Sequence, residues 1–185
     1  MIYTLNPSIG KNIQIRLLMI LGFALLTGIG ARVTIPREPV PITLQVLMVL
    51  LAGLTLGARD GFASQMTYIA LIASGLPLAS NGGAGIAALQ TPSAGYIFSF
   101  PVAAGLVGLL AIRDHFVVRW LASVAGIIVI YIIGATYLKY DLNLSWRSAW
   151  SAGVAPFIVI DLAKAVIASG SSEVVRGWWN RQLMP

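Results

Sequence analysis

The chain reads as an all-α integral membrane protein, a bundle of six transmembrane helices with lid-like or re-entrant loops, and three observations lead there. Its 185 residues are 58% hydrophobic and only 10% charged, where a soluble domain carries about 25% charged residues. Mean hydropathy is +0.87, so lipid must be most of the chain's solvent. The apolar residues also fall in runs close to the roughly 20 residues that a helix needs to cross a bilayer core. These runs are continuous and lack the alternation of a barrel strand.

The first run predicts a helix over about residues 13–31. It is too long for a signal-peptide core and no small-x-small cleavage site follows it, so no cleavable leader is expected. Arg32-Val-Thr-Ile-Pro-Arg-Glu-Pro-Val-Pro41 comes next, a loop that its three prolines should hold extended and stiff. Helices 2 and 3 are expected over about 42–57 and 61–78. The segment Gly75–Pro92 then runs without a single charge. It is too apolar to be merely solvated, and its glycines permit close backbone approach. A lid or short re-entrant piece over a cavity is predicted there. Helices 4, 5 and 6 follow over about 94–112, 116–138 and 151–170, so residues 1–185 form one transmembrane domain with no room for a soluble one.

With both termini cytoplasmic, the inside segments hold Lys11, Arg16, Arg59, Arg113, Arg119, Arg176 and Arg181, and the outside ones Arg32, Arg37, Lys139 and Arg147. Seven against four favours that orientation in a prokaryotic plasma membrane. Trp146 and Trp150 before helix 6, and Trp178 and Trp179 after it, suit interfacial aromatic belts. The formal net charge is +6, yet the basic residues are scattered, so nucleic acid is not an expected partner. The absence of cysteine excludes disulfides, thiolate metal sites and cysteine nucleophiles.

The chemistry concentrates in Pro156-Phe-Ile-Val-Ile-Asp-Leu-Ala-Lys164. A charge at the centre of a membrane helix costs roughly 2.5–3.5 kcal/mol, so it should face a cavity or a partner. Asp161 and Lys164, three residues apart, share a helix face. They form either a structural ion pair between helices or the polar wall of a binding site. Pro156, one turn earlier, should kink the helix.

Other motifs carry less. Gly83, Gly85 and Ala88 match G-x-G-x-x-A, but no strand precedes them and no acidic residue follows at the required distance, so no nucleotide site is expected. No P-loop is present either. Small residues four apart (Ala24 and Gly28, Thr27 and Ala31, Gly53 and Gly57, Ala104 and Gly108, Ala122 and Gly126) predict close helix packing. The set on helix 1 has the alternative of an external docking face. His115, beside Arg113 and Asp114, reads as a solvated loop residue.

At Pro39-Val-Pro-Ile-Thr-Leu-Gln45 and Leu56-Gly-Ala-Arg-Asp-Gly61 the sequence resembles the BioY family, the biotin-specific S components of energy-coupling factor (ECF) transporters. The likeness continues through Gly75-Leu-Pro77, Asn81–Gly85, Thr91-Pro-Ser-Ala-Gly-Tyr96 with Phe100-Pro101, and Asp161-Leu-Ala-Lys164. It implies a six-helix bundle with a biotin site near the outer face, closed by the loops between helices 1–2 and 3–4. It implies partners as well: a transmembrane coupling protein and two ATPase subunits, or self-association. Biotin would be the transported ligand, with no cofactor and no metal. The resemblance puts the polar contacts on Asn81, Asp161 and Lys164 with support from Tyr96, and the glycine-rich loop adds Gly82 and Gly83. Thr91-Pro-Ser-Ala-Gly stands where the family more usually has Gly-Pro-Thr-Gly-Gly, and Gly28 occupies one position of the family's alanine-rich docking stripe.

The residue chemistry suits that ligand. Asp161 accepts from a ureido N–H, Lys164 donates to the ureido carbonyl or the carboxylate tail, Asn81 does both, and Arg37 is placed to pair with the carboxylate. A stand-alone or proton-coupled carrier using Asp161 is the competing transport reading, although no inverted repeat of broken helices is visible. An intramembrane enzyme is not expected, because the chain offers no metal-ligand pair and no nucleophile–base set.

Overall fold

The computed structural model describes the backbone of residues 13–112 and 115–183 and the side chains up to residue 172. Lys11, Arg113, Arg176 and Arg181 of the charge count, with Trp178 and Trp179 of the aromatic belt, lie outside these described side chains. The chain runs α1 (Ile13–Arg32), β1 (Thr34–Ile35), β2 (Ile42–Thr43), α2 (Gln45–Ala73), a 3-10 turn (Ser80–Gly82), α3 (Gly85–Ala88), α4 (Ala94–Leu110), α5 (Phe116–Asp141), α6 (Trp146–Gly153) and α7 (Ile158–Leu183).

α2 is not one rod but two helical arms that meet at a kink. Gly57 within it has φ +79° and ψ −178°, a conformation essentially reserved to glycine. Gln45 Nε2 donates to the Tyr68 hydroxyl at 2.7 Å across 23 residues, which a straight helix would hold about 35 Å apart. The chain therefore reverses at Gly57 into arms 45–56 and 58–73, which are helices 2 and 3 of the sequence reading. A Cβ at Gly61 would stand 3.1 Å from Gly53 Cα, so the arms touch near the turn.

Helix 6 is also broken. α6 begins at residue 146, where Ser145 Oγ caps it by accepting from Ser148 N–H, five residues before the expected start. It meets α7 at a bend of 49° around Pro156, which has no N–H to give. Counting the two α2 arms separately and α6 with α7 as one span gives six crossings. α1 and α5 are each long and apolar enough to cross a membrane, α2 is so only when its two arms are taken as one helix, and the bent α6–α7 pair passes jointly. The protein is a membrane protein.

Other boundaries differ from expectation as well, α5 running to Asp141 and α7 to Leu183, past the expected 138 and 170. The arm 58–73 stops short of residue 78, because Gly75 takes φ +99° and Pro77 follows. Ile42 and Thr43 belong not to helix 2 but to a small antiparallel hairpin that pairs Thr34 with Thr43 and Ile35 with Ile42. Contrary to the expectation from its prolines, the loop between the strands is not extended throughout: it bends at residues 38–40, where Glu38–Pro39 is cis, and turns the chain back on itself.

The small-residue faces pack internally. A Cβ on Gly53 would lie 2.5 Å from Ala104 O, and one on Gly126 would lie 2.5 Å from Val107. Ala24, Thr27, Gly28 and Ala31 are all buried. The helix 1 set thus faces the bundle, and the reading of it as an external docking face is wrong: Gly28 lies against Leu78 of the loop after α2. His115 caps α5, its Nδ1 accepting from Val117 N–H at 3.3 Å.

Charges sort to the two ends of the bundle. At one, Arg16 grips Asp60 with three bonds of 2.6–2.9 Å, tying the start of α1 to the α2 turn. At the other, Arg32 donates to Pro77 O, Arg37 donates to Ala152 O at 3.1 Å, and Lys139 stands over the Trp146 ring.

Candidate ligand-binding site

Both arms of α2 are short for a membrane span. The arm 45–56 rises about 18 Å against a hydrocarbon core of roughly 30 Å. At its Gln45 end the bundle holds a pocket with about 510 Å³ of atom-free space, open mouth included. The walls are Val40, Pro41 and Thr43 of the hairpin, Gln45 and Val46 of α2, Tyr96, Ile97 and Phe100 of α4, Ile130 and Tyr131 of α5, and Phe157 before α7. Ser80 comes from the 3-10 turn within the uncharged loop, and Ser93 from the start of α4 just after it. Asp161 and Lys164 of α7 complete it.

The acid–base pair is the electrostatic centre. Asp161 is 2% exposed and Lys164 5%, so each needs full compensation. Lys164 Nζ donates to Asp161 Oδ1 and to Thr43 O, both at 2.7 Å. The Tyr131 hydroxyl donates to Asp161 Oδ2 at 2.8 Å. An ammonium carries three donors and a carboxylate about four acceptor sites. After these bonds, one donor on Lys164 and further lone pairs on Asp161 are left for a ligand. The pair is thus at once a structural link between α7, β2 and α5 and a polar wall with spare capacity.

A second layer fixes the rim. Thr43 Oγ1 donates to Gln45 Oε1 at 2.9 Å, Gln45 Nε2 to Tyr68, and the Tyr68 hydroxyl to Leu78 O at 3.0 Å. This chain links the hairpin, both α2 arms and the uncharged loop. The Tyr96 hydroxyl donates to Gly153 O at 2.8 Å, satisfying the carbonyl at the end of α6. Glycines admit the Tyr96 ring: a Cβ at Gly134 or Gly153 would collide with it.

The residues named from sequence divide into two groups. Asp161, Lys164 and Tyr96 line the pocket together. Asn81, Gly82 and Gly83 stand on the 3-10 turn and just after it. Asn81 is exposed in a left-handed conformation (φ 54°), and Gly82 (φ 79°) lies beside the Arg32 guanidinium. Their neighbour Ser80 reaches the pocket lining, whereas they do not. Arg37 sits at the mouth, its guanidinium 5.9 Å over the ring of Phe157. Sequence reasoning missed Thr43, Gln45, Tyr68 and Tyr131. A tyrosine in the middle of the apolar run of α5 was the available signal for Tyr131. The main-chain carbonyl of Thr43 gave none. Among the described residues no group of three metal-ligating side chains occurs.

Six apolar spans around one buried acid–base pair, beneath a hairpin and a lid-like loop, define a membrane-embedded binding protein for a small polar-headed molecule. The chain belongs to the BioY family, whose model matches residues 8–181. It is 41% identical over 155 residues to a probable biotin transporter BioY of Pyrococcus horikoshii, covering 84% of this chain and 92% of that one. It is 40% identical over 148 residues to the biotin transporter BioY of Thermotoga maritima, covering 80% and 87%. Its fold matches the crystal structure of an S-component for biotin from an ECF-type ABC transporter with TM-score 0.81, at 24% identity over 88% of this chain and 90% of that one.

Proposed function

We propose that this protein binds biotin in the loop-capped pocket and serves as the substrate-capturing membrane component of a biotin uptake system. The observation that carries this reading is that the buried acid–base pair lines the pocket with bonding capacity left over. Membership of the BioY family and the names of its relatives support the ligand. Biotin pairs an apolar bicycle with a ureido group and a carboxylate. Phe100, Ile97 and Ile130 suit the ring, while Asp161 and Lys164 suit the polar ends. Asn81, Gly82, Gly83 and Arg37 act in this reading from the lid and mouth, closing over the ligand. Transport is driven by a transmembrane coupling protein and two ATPase subunits, and the chain itself catalyses no reaction. The pocket faces outward in a plasma membrane, with both termini cytoplasmic.

The test is binding of labelled biotin to the purified protein. Saturable binding that excess unlabelled biotin displaces is the expected result. A signal that stays linear with concentration overturns the assignment.

A further inference from the structure

A second cavity lies on the flank of the bundle, between α5 and α6. Ile128, Ile132 and Ala135 of α5 line one side of it, and Trp146, Arg147 and Trp150 of α6 the other. It holds about 1,060 Å³ of atom-free space, open side included. Tyr131 lines this groove and the ligand pocket alike.

Charge says what fits it. Arg147 lines the groove, and Lys139 lies 5.3 Å over the ring of Trp146, which lines it too. Among the described residues no ion pair joins either cation to a carboxylate. Trp146 and Trp150 are 59% and 57% exposed, the amphipathic rings that favour the headgroup level. An apolar groove with one cation in its lining and a second over the ring of Trp146 has a polarity complementary to that of an anionic phospholipid. We propose that this groove binds one anionic membrane phospholipid, its acyl chain along Ile128, Ile132 and Ala135 and its phosphate at Arg147 and Lys139. The lipid chain then touches Tyr131, whose hydroxyl holds Asp161.

The test is native mass spectrometry of the full chain released from vesicles of phosphatidylcholine with a minor share of phosphatidylglycerol. The wild type should retain one phosphatidylglycerol out of proportion to its share. Arg147→Gln and Lys139→Gln, both at solvent-accessible positions, should each lower that retention roughly fivefold, the effect of one basic residue near an anionic surface. Ile132→Trp, at a position 62% exposed, should block the groove and displace the lipid with both cations intact. Equal retention of the two lipids overturns the proposal. So does phosphatidylglycerol retention that survives all three substitutions, or a second copy of the chain seated in place of the lipid.

Discussion

Two of the buried polar clusters among the described residues differ instructively. One joins Thr27 of α1 to Gln65 of the arm 58–73, with Gln65 Nε2 donating to Thr27 Oγ1 and to Ser64 Oγ, both at 3.2 Å. Its members are neutral, fully buried and closed upon one another. The other joins Asp161, Lys164, Tyr131 and Thr43 at 2.7–2.8 Å and borders open space. Inward-facing polarity is common to both, so polarity does not mark a site. What distinguishes the second is formal charge, spare bonding capacity and an adjoining void left by a short helix.

Substitutions can break that contrast. The largest effect is expected from Lys164→Ala, which strips a buried carboxylate of its counter-ion. Stability should fall by about 3–5 kcal/mol, and biotin affinity by about 12- to 160-fold as the one charge-assisted bond from Lys164 to the ligand goes. Asp161→Asn combined with Lys164→Gln removes both charges and should recover most of the thermal stability without recovering binding. Thermal melts and biotin titrations of the two variants separate folding from recognition. Were the double variant to bind like wild type, the pair would be structural only.

An intermediate effect is expected from Tyr131→Phe. It removes one bond to Asp161 Oδ2, worth about 0.5–1.5 kcal/mol, so biotin should bind about 2- to 12-fold more weakly, measurable by the same titration. The smallest effect belongs to the dry cluster. Thr27→Val with Gln65→Leu should lower stability by about 0.6–1.7 kcal/mol, the range for hydrogen bonds between membrane helices, and leave biotin affinity within about twofold. A loss of affinity matching that of Tyr131→Phe would erase the distinction.

Much of the bundle was legible in the sequence because lipid imposes a length on each span and a cost on each charge. The runs around residues 13–31 and 116–138 correspond to α1 and α5, and the break between helices 2 and 3 falls at Gly57. Pro156 lies in the bend that it predicted. The Asp161–Lys164 pairing followed from helical spacing alone. The partners at long range were not legible. Lys164 meets Thr43 across 121 residues through a main-chain oxygen, a contact that no side-chain pattern encodes. The hairpin was missed because strands of two residues are too short for any period to register.

Gly57 has a consequence for the whole molecule. Were its backbone to take an ordinary helical conformation, the 29 residues of α2 would form one rod of about 43 Å, a single crossing instead of a hairpin. Six crossings would become five, an odd number. Every segment after Ala73 would then be inverted across the bilayer, and the two termini would part to opposite sides. The parity of the protein's topology, and with it the direction in which the pocket opens, hangs on one residue that has no side chain.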